Sequence, residues 1–245
     1  MVFIGVVNIL LIYHYQTMQK EDSRIVNIAG RQRMLSQKIT KLALSIADGN
    51  NHDRSNLRKA IGLYDTSLRL LHHGGKTMGK EIPPAPVIME ELFKKDRTVW
   101  DLFKEKSEIV VKEDSYNPSF SEAILYIEKN NEALLQRSSD VVTAYASLPD
   151  AGDYIHEISV AGRQRMLSQQ IAKYVFSVSI GGEDKRDQLQ QAIELYNRSF
   201  LSLRDGGTSI PWEKQIKPAP PVVRDFLNIF ENEWNKFKEK ANIIQ

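Results

Sequence analysis

Two identical nine-residue strings, Ala29 to Gln37 and Ala161 to Gln169, both read AGRQRMLSQ and hold the side chains in this chain best suited to binding chemistry. On a helix each string lines up a glycine, an arginine and a glutamine at spacings of three and four: Gly30, Arg33 and Gln37, then Gly162, Arg165 and Gln169. A guanidinium is planar, permanently charged and presents a fork of donors, which suits a small planar oxyanion. If two such helices met with both arginines inward, charges about 6 Å apart would repel by roughly 3 kcal/mol at an effective dielectric of 20. An anion between them removes that cost and adds charge-assisted hydrogen bonds. The competing reading pairs Arg33 and Arg165 with a carboxylate of a neighbouring helix, or leaves them on a solvated face. Glycine inside a helix costs about 1 kcal/mol relative to alanine, so Gly30 and Gly162 are expected where another backbone comes close. Arg31 and Arg163 point elsewhere on the helix and are expected in surface salt bridges.

Other chemistries find little support. The chain has no cysteine, which removes disulfides, thiolate nucleophiles and Cys-based metal sites. His14, His52, His72, His73 and His156 form no i, i+4 ligand pair, so no metal site is expected. No GxSxG, phosphate-loop or GxGxxG string is present, and the carboxylates form no repeated acid–base pair. We therefore expect no catalytic residues, no cofactor and no enzyme. A formal charge of +2 on 245 residues argues against a nucleic-acid partner, which needs a concentrated basic excess. Trp100 and Trp234 are expected as core anchors, His72-His73 as a helix end, and the Pro84 and Pro218 loops as rigid turns.

The elements that must position the arginines follow from a tandem duplication. Beyond the nine-residue string, Leu63-Tyr64 matches Leu195-Tyr196, Gly74-Gly75 matches Gly206-Gly207, Pro84-Ala85-Pro86 matches Pro218-Ala219-Pro220, and Trp100 matches Trp234. In the first motif helix Ile25, Ile28, Gln32, Leu35, Ile39, Leu42 and Ile46 form a core stripe, with Glu157, Val160, Gln164, Leu167, Ile171, Tyr174 and Val178 as its counterpart. A second stripe, rotated about 100° by the helical period, holds Val26, Gly30, Arg33, Gln37, Thr40 and Leu44. Its counterpart is Ile158, Gly162, Arg165, Gln169, Ala172 and Phe176. Each copy reads as helix, polar break, helix, Gly-Gly and Pro-rich loop, helix; Ser119 to Leu148 adds a fourth helix to the first. Strand patterns are nearly absent. The expected fold is all-α: tandem antiparallel helical bundles, two four-helix modules of which the second lacks its last helix. The apolar run Val2 to Tyr15 is too short to cross a bilayer and is read as the outer half of a membrane span, the alternative being a buried N-terminal helix of a soluble protein. The expected division is 1–18 as a partial transmembrane or juxtamembrane segment, 19–149 as the first module and 150–245 as the second.

The doubled AGRQRMLSQ string after a membrane segment resembles the N-terminal sensor domain of type IV pilus methyl-accepting chemotaxis transducers, the PilJ family, and its nitrate/nitrite sensor relatives of the NarX kind. The resemblance covers nearly the whole chain as two modules. It implies a periplasmic four-helix bundle anchored in the cytoplasmic membrane, and a homodimer in which the arginine before the methionine grips nitrate from each side. Those arginines are Arg33 and Arg165 here. The family's motif often begins with an asparagine, matched by Asn27 in the first copy and replaced by Ser159 in the second. The resemblance implies a small anion, nitrate or nitrite, as ligand. It also allows pilin or another periplasmic protein as the partner, with no small molecule involved; a passive helical spacer is a third reading. Side-by-side modules would let Arg33 and Arg165 form one site within a single chain.

Overall fold

The structure is a computed structural model and describes residues 22–77, 79–148, 155–211 and 213–244. The apolar run Val2 to Tyr15 and the expected 1–18 segment lie outside the described residues. Among the described residues the chain forms seven α-helices and one two-stranded hairpin. The helices are α1 (Asp22–Ala47), α2 (Asp53–His73), α3 (Glu90–Lys112), α4 (Pro118–Ala146), α5 (Ile155–Ser179), α6 (Arg186–Asp205) and α7 (Pro221–Ile244). The fold is therefore all-α, as the 3.6-residue periodicity requires.

The chain divides into two compact units. Residues 28–148 form one; residues 149–245, together with 1–27, form the other. Contacts thus assign the opening of α1, Asp22 to Asn27, to the unit that contains α5, α6 and α7.

Within the 28–148 unit, α2 stops where Gly74 adopts φ +74° and donates its N–H to the Leu70 carbonyl at 3.0 Å. A Cβ at that glycine would lie 2.7 Å from the Ile82 carbonyl oxygen, so backbone conformation and space both require glycine. After it comes a short hairpin that strand patterning did not reveal: β1 (Gly75–Thr77) pairs antiparallel with β2 (Lys80–Ile82). Three residues are too few for an alternation to register in sequence. α4 begins with Pro118 at its first position, and the Asn117 side chain accepts from the Ser119 N–H at 3.0 Å.

The helices meet on an aromatic core. Tyr64 and Trp100 stack with centroids 4.0 Å apart, and Trp100 is fully buried. α4 docks through the Tyr145 hydroxyl, which donates to the Leu71 carbonyl at 2.9 Å, and through Ser138, 2.9 Å from the Tyr64 hydroxyl. His72, in the last turn of α2, stacks on Phe93 at 4.9 Å and reaches Glu90 at 2.8 Å.

The second unit repeats this arrangement. Tyr196 and Trp234 stack at 4.0 Å, α6 ends at Gly206 with φ +85°, and the hairpin shrinks to a single bridge between Gly207 and Ile216. Both tryptophans are core anchors; removing a buried side chain of that size typically costs about 3–5 kcal/mol.

Candidate arginine site on the motif helices

Both stripes of α1 are buried. The core stripe from Ile25 to Ile46 is inaccessible throughout, Gln32 included. So is the second stripe: Val26, Gly30, Arg33, Gln37, Thr40 and Leu44 are all buried, with Arg33 only 5% exposed. A guanidinium lodged on a buried face needs acceptors or a counter-charge near it. The helix itself supplies little negative charge, since it carries five basic residues and one acidic residue. Burial, followed by the nearby Lys38, pushes the Lys41 ammonium below its ordinary pKa, and burial lowers Arg31 as well. The polar side chains that follow Arg33 on α1 are hydroxyls and an amide, bonded to the helix backbone and to one another. Ser36 Oγ donates to the Arg33 carbonyl at 2.8 Å, Gln37 Nε2 donates to Ser36 Oγ at 3.4 Å, and Thr40 Oγ1 donates to the Ser36 carbonyl at 3.2 Å.

α5 repeats the pattern with more exposure. Ile158 and Gly162 are buried, whereas Arg165, Gln169, Ala172 and Phe176 are half-buried. Ser168 Oγ donates to the Arg165 carbonyl at 2.8 Å, just as Ser36 does to Arg33. Arg165 Nη2 donates to Asn27 Oδ1 at 2.7 Å. Of the residues singled out in the sequence, Asn27 and Arg165 are thus brought together inside the second unit. Arg33, Gly30 and Gln37 belong to the first unit; Arg165, Gly162, Gln169 and Asn27 belong to the second. The asparagine that matches the motif of the first copy therefore serves the arginine of the second, whose own helix has Ser159 at that place.

Arg163 departs from its expected role. It is only 7% exposed, so its ion pair is not a surface one. Its guanidinium binds Glu213 through both terminal nitrogens, with Nη1 also donating to Ser209 Oγ at 2.7 Å. The cause is the loop between α6 and α7, which folds back onto α5. Glu157 holds a second point of that loop by accepting the Lys217 N–H at 3.1 Å, which explains a carboxylate on a core stripe. Burial pushes the Arg163 guanidinium down to about 10. Glu213 lies where the second copy has two inserted residues, so the repeat could not align it with a partner.

Sequence reading also passed over Asp96. It is fully buried on α3, and its Oδ1 accepts from the Tyr64 hydroxyl at 3.5 Å. Burial pushes its carboxyl up to about 7, against the smaller opposing effects of Tyr64 and Arg137. The available signal was its place four residues before Trp100, where the second copy has Phe230.

A family model described as type IV pili methyl-accepting chemotaxis transducer N-term matches residues 16–118 and 156–245. The chain belongs to this family. Both PilJ matches include an AGRQRMLSQ helix and the tryptophan-bearing helix of its unit, so the duplication read from the sequence is one of PilJ modules. Among curated proteins, none matches the chain. A PilJ module is the N-terminal part of a chemotaxis transducer, and this chain is accordingly a sensor region of that signalling class. Among the described residues no helix is long and apolar enough to cross a membrane.

Proposed function

We propose that this PilJ chain is the extracytoplasmic, ligand-binding region of a membrane-anchored transducer, and that it senses a small planar oxyanion, nitrate or nitrite, through Arg33 and Arg165. The observation that carries the reading is the burial of Arg33, 5% exposed, on a helix whose composition is strongly basic. A planar anion beside a buried guanidinium gains charge-assisted hydrogen bonds in a low-dielectric setting. Arg165 supports the same chemistry. Its 2.7 Å bond to the Asn27 amide oxygen orients the guanidinium.

Gly30 and Gly162 lie one turn before each arginine, and Gln37 and Gln169 carry amides one turn after it. The apolar run Val2 to Tyr15 fits an anchor in the cytoplasmic membrane, with the modules outside it and two copies of the chain paired. A ligand that binds one packing state of the motif helices better than another shifts their populations toward it, which is the signal. Crystals grown in sodium nitrate test the assignment directly. Planar density within hydrogen-bond distance of either arginine supports it, and water alone at both contradicts it.

A second reading, recognition of pilin or another periplasmic protein, is favoured by one feature. Val87 and Ile88, after the Pro83 to Pro86 segment, are 91% and 86% exposed. Loss of pilin capture by a Val87→Ser, Ile88→Ser variant, with nitrate producing no heat, would select that reading over the anion.

A further inference from the structure

Tyr196, Trp234 and Lys238 occupy in the second unit the places of Tyr64, Trp100 and Lys104 in the first, but the residue that follows the tyrosine differs. In the first unit it is Asp65. Its carboxylate accepts from the Trp100 indole at 3.0 Å and lies 3.2 Å from Lys104 and 3.9 Å from Arg97. Burial alone would raise its pKa; the indole hydrogen bond and the Lys104 ammonium more than reverse this and hold it below the ordinary value. In the second unit the residue is Asn197, which accepts from the Trp234 indole at 3.3 Å. The amide keeps the hydrogen bond and loses the charge. Lys238 consequently has no carboxylate at ion-pair distance among the described residues.

Around this lysine lies a groove of about 430 Å³ lined by Gln190, Ile193, Glu194, Asn197, Arg198 and Lys238. Ile193 is buried and forms an apolar floor, Lys238 and Asn197 are half-buried, and Arg198 stands exposed at the rim. Because the Asn197 oxygen faces the indole, its NH₂ is free to donate into the groove. On the same helix, α6, Glu194 accepts from Gln190 Nε2 at 2.8 Å.

We propose that this groove binds a small organic carboxylate, whose charge stands beside Lys238 as the Asp65 carboxylate stands beside Lys104. Arg198 adds a planar fork of donors and Asn197 an amide donor. Glu194 disfavours a second carboxylate and accommodates an ammonium, so the ligand is a monocarboxylate or a zwitterionic amino acid. This site is separate from the arginines of the motif helices and does not depend on their assignment.

The duplication supplies an internal control. In proton–nitrogen NMR spectra of the 245-residue protein, the Trp234 indole reports on the groove and the Trp100 indole on the filled equivalent. Titration with sodium propionate and with alanine, against sodium chloride at equal ionic strength, should shift the Trp234 signal saturably with at least one carboxylate. The Trp100 signal should stay in place. Propionate alone identifies a simple carboxylate site, and alanine alone a zwitterion site. Asn197→Asp gives Lys238 a carboxylate of the chain's own and removes the amide donor, and Lys238→Gln removes the cation; each should weaken binding about tenfold or more, the worth of one charge-assisted hydrogen bond. No saturable shift with either probe, an equal shift with chloride, or undiminished binding in both variants would overturn the proposal.

Discussion

Arg165 donates to the Asn27 side chain at 2.7 Å, so the arginine of the second AGRQRMLSQ string is held by an asparagine that precedes the first string by two residues. A residue far away in sequence thereby orients the guanidinium that we assign to ligand binding. The bond should be measurable as a coupling. In a double-mutant cycle by urea denaturation, Asn27→Ala and Arg165→Ala should each cost about 1–2 kcal/mol, with a coupling of about 1 kcal/mol. Strict additivity would show that the contact is not formed in solution.

Asp96 gives the 28–148 unit a pH dependence of unusual sign. Its carboxyl is raised to about 7 by burial, with Tyr64 of α2 and Arg137, Ser138 and Asp140 of α4 around it. Between about pH 4 and pH 7 the unfolded chain releases this proton while the folded chain keeps it. Stability contributed by the protonated form is therefore present at low pH, declines across that window and stays lower above it. Asp96→Asn should match the parent at pH 4 and exceed it at pH 8 by roughly 2–4 kcal/mol, followed by thermal denaturation at both values. A variant weaker than the parent at pH 8 would mean that the carboxylate is ionised and compensated in the fold.

The Arg163–Glu213 pair fastens the α6–α7 loop to α5 from a buried position. Removing one partner leaves the other charged and desolvated, so Arg163→Ala should destabilise the second unit by about 3–5 kcal/mol. Arg163→Met with Glu213→Leu should recover most of that loss. Equal instability of the single and double variants would indicate that the loop is held by other contacts.

Gln32 and Gln164 occupy equivalent core positions with opposite consequences. Gln164 Nε2 donates to the Tyr196 carbonyl at 2.8 Å, whereas neither polar atom of the Gln32 amide has a partner among the described residues. Gln164→Met should cost about 1–2 kcal/mol, while Gln32→Met should be neutral or stabilising by about 1 kcal/mol. The same sign for both in a calorimetric melt would contradict the assignment.

The helices were legible because their apolar residues recur at spacings of three and four, and the units because a nine-residue string recurs exactly. The core stripe of α1 was legible in the same way, whereas the stripe of Arg33 was only half so: Gly30 pointed to close packing and the arginine left a solvated face open. Three features were not legible. Glu213 falls in an insertion, so nothing in the repeat pairs it with Arg163. The β1–β2 hairpin is too short to leave a pattern. The assignment of Asp22 to Asn27 to the second unit depends on contacts between segments more than a hundred residues apart, which the local periodicity of α1 does not encode.

Isothermal titration calorimetry on the purified chain with nitrate, nitrite and chloride decides whether the two arginines bind an oxyanion. Saturable heat is expected with nitrate or nitrite and none with chloride, reduced about tenfold or more in affinity by Arg33→Ala and again by Arg165→Ala. Absence of heat with all three anions, or unchanged affinity in both variants, would contradict such binding.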